Sequence, residues 1–117
     1  MRGSNVLEPL FGSVNRERVL IYILARGEAY GREVATYFDA ALLGVQRQME
    51  GLEAGGVLYS RQVGRTRLYG FNPRYAFLPE LKALLEKVLT FYPVEERERL
   101  IMARKRPRRK DKPFETG

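Results

Sequence analysis

The spacing of apolar residues changes character at one point in this chain, the glycine pair Gly55–Gly56. Before it, the stretch GVQRQMEGLEA places Val45, Met49 and Leu52 four and three residues apart, the spacing of one helix face. After it, VLYSRQV and TRLYGFN are rich in β-branched and aromatic residues and flank Gly64–Arg65, a tight-hairpin signal. A helix that stops on glycines and hands the chain to a hairpin predicts a mainly helical α+β domain. Gly44 and Gly51 each weaken that helix by about 1 kcal/mol relative to alanine, and leave room for close approach of a neighbour. Between its first two anchors stand Gln46, Arg47 and Gln48. Flat amides and a guanidinium are an odd choice for a helix that only fills a core.

Upstream, Val6, Leu7, Leu10 and Phe11 form a short apolar stripe, and Pro9 confines it to a first turn. Ser13 predicts the N-cap of VNRERVLIYILARG, and Gly27 its end. This helix is apolar on nearly every side from Val19 to Ala25, as a helix through the middle of a small domain must be. GEAYGREVATYFD predicts a second, shorter helix with Tyr30, Val34 and Phe38 on one face and Gly31 as its cap. A turn over Asp39–Leu42 leads into the Gly44 stretch. Downstream, LPELKALLEKVLTFY carries Leu78, Leu81, Leu84, Leu85, Val88 and Leu89 on a helical stripe that Pro93 ends. The domain is therefore expected to span 1–92, followed by a charged helical segment at 93–105 and a basic disordered tail at 106–117.

Composition closes several chemistries. The chain has neither cysteine nor histidine, so disulfides, thiolates, imidazole bases and the usual zinc ligands are excluded, and no metal site or cofactor is expected. No apolar run approaches the ~20 residues of a membrane span, and MRGSNVLEPLFG lacks a signal-type core; a cytoplasmic location without membrane contact is the expectation. The glycines form no phosphate-binding loop. The carboxylates Glu28, Glu33, Glu50, Glu53, Glu95, Glu96 and Glu98 are expected on the surface, and none accompanies a nucleophile. An enzyme is not expected. The net charge of +7 is uneven: residues 103–117 carry seven basic residues against Asp111 and Glu115, which leaves only +2 for residues 1–102. Such a tail adds non-specific affinity for phosphate but, with no interleaved aromatics, lacks the stacking groups of a single-strand binder.

Three helices, a glycine break and a hairpin with a basic tip follow the plan of a winged helix-turn-helix. LFGSVNRERVLIYIL resembles the "LFGS…R…IL" opening of ArsR-like winged-helix regulators, and Val34–Leu58 is similar to their "VAxxFGVSxSAVxRxLxxLExxGVL" core. GRTRLYGFNP matches the wing and its following strand, so the resemblance covers roughly residues 6–92. It implies a homodimer built by the N-terminal helix and the helix 78–92, with the Leu81–Leu84–Leu85–Val88 stripe at the subunit interface. It also implies duplex DNA as partner, the third helix in the major groove and the wing along the backbone. The aromatic residues Tyr69, Phe71, Tyr75, Phe77, Phe91 and Tyr92 are expected in core and dimer packing.

The residues suit that reading on their own chemistry. Gln46 can pair with adenine and Arg47 with guanine. Arg32, at the start of the preceding helix, can hold a phosphate together with the helix amides. Arg65 and Arg67, with Arg61 across the hairpin, bring positive charge to the wing. The chain departs from the pattern at Ala41–Gly44, where Ser, Pro or Thr is usual, and at Asp39, where glycine is usual. Leu42 and Leu43 can touch a thymine methyl but cannot hydrogen-bond a base. The expected function is sequence-specific DNA binding by a dimeric transcriptional repressor. The alternative, resting on the two leucines, is a protein-interaction module or antitoxin-like partner subunit.

Overall fold

The structure, a computed structural model, describes residues 6–104, with side chains described through residue 101; the expected tail at 106–117 lies outside the described residues. Six helices and a three-stranded antiparallel sheet with a hairpin make a mixed α+β fold among those residues.

Helix α1 (Glu8–Phe11) is one turn long with its proline in the first turn, where the missing N–H costs nothing. In α2 (Val14–Arg26) the Ser13 hydroxyl accepts from the Arg16 N–H at 3.1 Å, and Gly27 ends the helix at φ 92°. Val19, Ile21 and Ile23 are wholly buried, so α2 is the central helix its uniform hydrophobicity predicts.

The segment GEAYGREVATYFD departs from expectation. It is not one helix: Glu28–Tyr30 forms strand β1, and α3 (Gly31–Phe38) begins only afterwards. Tyr30, not Gly31, holds the cap position, with extended backbone and an N–H that donates to the Glu33 carboxylate at 2.9 Å. Tyr30, Val34 and Phe38 are buried as their spacing predicts.

Helix α4 (Leu42–Ala54) seats Val45, Met49 and Leu52 in the core. Gly56, at φ 83°, takes the left-handed conformation that turns the chain into the hairpin. A Cβ on Gly44 would stand 2.9 Å from the Asn15 amide nitrogen, so α2 crosses closely here. At Gly51 a Cβ would meet nothing nearer than the end of Arg16, at 3.8 Å. Gly51→Ala is therefore expected to stabilise the protein by about 0.5–1 kcal/mol, read as a higher urea midpoint. Gly44→Ala must displace Asn15 and should gain less. A loss at Gly51 would mean that the glycine serves something other than packing.

Strands β2 (Leu58–Val63) and β3 (Thr66–Phe71) pair around Gly64, whose φ of 62° at the first turn position suits a two-residue hairpin. The sheet order is β1-β3-β2, with Glu28 opposite Gly70 and Tyr30 opposite Leu68.

A further correction concerns α5 (Leu78–Leu89), whereas α6 (Val94–Arg104) forms where the charged helical segment is expected. Leu85 and Val88 are buried in this chain's own core, and Leu81 and Leu84 pack against it. The stripe expected at a subunit interface is therefore largely consumed by intrachain packing. Helix α6 buries Leu100 completely, and the Leu100 carbonyl accepts from Arg26 Nε of α2 at 3.1 Å.

Glu96, expected on the surface, is also buried, as is Glu17. Glu17 accepts from the Val6 N–H at 3.1 Å, the Leu7 N–H at 2.6 Å and the Tyr92 hydroxyl at 2.7 Å. Burial, and then the bond to Glu17, raise the Tyr92 phenol far above its ordinary range and keep it a donor. Of the aromatic group, Tyr69 and Tyr92 are buried and Phe71 packs on the core. Phe77 and Phe91 are more than 60% exposed, so neither belongs to this chain's core.

Among the described residues no helix is long and apolar enough to cross a membrane.

Candidate nucleic-acid interface

Seating Val45, Met49 and Leu52 against the core fixes which side of α4 faces out. Leu43, Gln46, Arg47 and Glu50 are exposed and lie three or four residues apart, one continuous outer face. Gln48 leaves the polar group there: it is half-buried, and its carbonyl oxygen accepts from Arg16 Nε at 2.8 Å, tying α4 to α2. Leu42 is half-buried and packs on the core, while Leu43 is 59% exposed.

A cleft of about 300 Å³ runs between the start of α3, the outer side of α4 and the hairpin. Arg32, Leu42, Gln46, Arg65 and Arg67 all line it. Arg47 and Leu43 do not; they are exposed on the same helix beside it.

The hairpin is held against α4 by a chain of polar contacts. Ser60 Oγ donates to the Glu53 carboxylate at 2.8 Å and accepts from Arg67 Nε at 2.9 Å. Arg67 Nη1 donates to Gln62 Oε1 at 2.8 Å, so this guanidinium is positioned by its own hairpin yet keeps donors to spare. Arg32, Arg47 and Arg65 are exposed and make no hydrogen bond or ion pair among the described residues.

Arg61 is not brought to the cleft. Side chains alternate along a strand, and the pairing of Gln62 with Arg67 puts Arg61 on the opposite sheet face. There its guanidinium lies 3.6 Å from Glu28. Glu28 belongs to β1, the strand absent from the sequence expectation, so this ion pair is not legible from the hairpin alone.

The cleft is also lined by residues not expected at a site, Tyr30, Gly31, Glu50, Thr66 and Tyr69, of which Glu50 and Tyr69 bear on its electrostatics. Glu50 follows Gln46 by four residues on the same helix face, a spacing that would have found it. Tyr69 follows Arg67 by two on the same strand face. Burial first, then the charges of Glu53 and Glu50, raise the Tyr69 phenol, with Arg67 acting against them, so the hydroxyl stays a neutral donor.

At the start of α4 no side chain caps the first N–H groups, because position 41 is alanine. Asp39 has φ 56° and ψ 48°, the left-handed conformation that glycine favours and aspartate tolerates.

No family model, curated protein or solved structure matches this chain.

Proposed function

We propose that this protein is an ArsR-like winged helix-turn-helix regulator that binds duplex DNA sequence-specifically as a homodimer and represses transcription by occluding a promoter. The observation that carries this reading is the convergence of Arg32, Gln46, Arg65 and Arg67 on one cleft, with Arg47 exposed beside it. In this reading α4 enters the major groove, where Arg47 and Gln46 meet base edges. Arg32, Arg65 and Arg67 hold phosphates, and the uncapped amides of α4 supply further donors for an anion. Glu50 repels phosphate, which favours a fixed register of the helix over indiscriminate binding. Two such helices in a dimer would sit about 34 Å apart, one turn of DNA.

With Leu85 and Val88 consumed internally, the dimer rests on other apolar groups. Leu10 of α1 and Phe91 and Val94 at the corner between α5 and α6 are all more than half exposed. Glu17 joins the two regions by holding the Val6 amide and the Tyr92 hydroxyl on one oxygen.

The test is fluorescence anisotropy with the upstream DNA of the gene and a scrambled duplex, across a salt series. Arg47→Ala is expected to cost about 1–3 kcal/mol on the preferred sequence and to relax base preference, whereas Arg65→Ala weakens all sequences alike. Equal losses on both duplexes for both variants would remove these role assignments. Exposure of Leu43 favours a second reading, a protein-interaction module, and absence of duplex binding near physiological salt would select it.

A further inference from the structure

A second cavity, of about 480 Å³, opens on the other side of Arg32, between α2, α3 and the hairpin tip. Its volume falls within the usual range for small-molecule sites. Tyr22, Tyr30 and Tyr37 line it together with Arg26 and Arg32. The Tyr22 and Tyr37 rings meet edge to face, with centroids 5.6 Å apart. The Arg26 guanidinium lies over Tyr22, 4.4 Å from the ring centroid, and donates to the Tyr22 hydroxyl and to the Leu100 carbonyl, which fixes its position. A guanidinium has five donors, so most of its capacity stays available. The Tyr37 hydroxyl is buried with no hydrogen-bond partner among the described residues, an uncommon state for a polar group. The acid in the lining is Glu33, whose carboxylate accepts from the Tyr30 N–H.

We propose that this cavity binds a small planar aromatic monocarboxylate, and that its occupant competes with DNA. The tyrosine walls suit a flat ring. Two guanidiniums against one carboxylate leave the lining a single excess positive charge, which one carboxylate neutralises through charge-assisted hydrogen bonds. A cationic ligand is repelled by the same pair, and a small inorganic anion leaves the aromatic walls unfilled. Competition follows from Arg32 and Thr66, which line both this cavity and the cleft against α4. A carboxylate that engages Arg32 removes it from a phosphate, and the weakening is reciprocal. The competition rests on the DNA-binding reading; occupation of the cavity does not.

Isothermal titration of the full chain with sodium 2-naphthoate, against the uncharged 2-naphthalenemethanol, tests the cavity. Saturable one-to-one binding is expected, at least tenfold weaker for the alcohol and for Arg32→Gln, an exposed position whose change leaves the fold intact. Thr36→Trp, which fills the cavity from the exposed side of α3, should abolish binding. No saturable heat, equal binding of acid and alcohol, or an unaffected Arg32→Gln variant would overturn the site. Saturating naphthoate should then weaken duplex binding at least threefold in the wild type and leave Arg32→Ala unchanged. Naphthoate binding in a protein that ignores DNA would uphold the cavity and defeat the DNA reading. Duplex binding indifferent to bound naphthoate would overturn the competition alone.

Discussion

Replacement of Glu17 by alanine is expected to destabilise the protein by about 3–5 kcal/mol, a large part of the total stability of a domain this size. Glu17 is wholly buried, and its two oxygens accept from three donors: the amides of Val6 and Leu7 and the hydroxyl of Tyr92. Alanine leaves all three without an acceptor. Each orphaned buried donor costs about 1–3 kcal/mol, although the two amides lie near the surface and recover part of this by meeting water. The Tyr92 hydroxyl cannot recover in that way: it is buried, and the raised phenol stays protonated and still needs an acceptor. Glu17→Gln keeps one carbonyl oxygen and should lose about half as much. Urea denaturation of the three proteins measures the series. A loss below about 1 kcal/mol for Glu17→Ala would mean that water enters and replaces the carboxylate, and that the clamp between α1 and the end of α5 is not structural.

Nothing in the sequence marks Glu17 for this role. A glutamate four residues past Ser13 reads as a first-turn acid, favourable to the helix dipole and solvated. Its burial is decided by Tyr92, 75 residues away. The same limit hid β1: three residues have no period, and Glu28–Tyr30 becomes a strand only because β3 arrives beside it. Where one element determines its own environment, the sequence sufficed. Val19 to Ala25 admit no polar face, so α2 had to be central; Ser13 had one helix to cap; the glycine pair had one hairpin to lead into.

The candidate interface divides along the same line. Gln46 and Arg47 face outward because Val45 and Met49 face inward, a matter of helix geometry alone. Gln48 lies one residue further round, and whether it belonged to the outer face depended on Arg16 of another helix. Arg61 stays on the hairpin but on the sheet face away from the cleft, a matter of strand parity that follows once the register is known. The interface stripe assigned to Leu85 and Val88 failed because a buried helix face looks the same in sequence whether it meets its own chain or a partner.

Helix α6 poses that question most sharply, and Leu100→Ala answers it. The segment is highly charged, and an isolated helix of this length has little stability in water, so α6 depends on what it docks against. Leu100 is wholly buried, and its backbone carbonyl is bound by Arg26 of the central helix. The Arg99 guanidinium lies 5.6 Å from the centroid of Tyr37, a second anchor one residue away. If α6 and the core unfold together, removing the Leu100 side chain should cost about 2–5 kcal/mol in a single cooperative transition. If α6 is an appendage to a domain that ends near residue 92, the variant should lose helicity locally, with the main transition displaced by less than about 1 kcal/mol. The burial of Leu100 and of Glu96 favours the first outcome. A helix that places its own carboxylate inside the fold is part of what the fold must satisfy, and a chain ending at Tyr92 would then expose the surface of α2 that Leu100 covers.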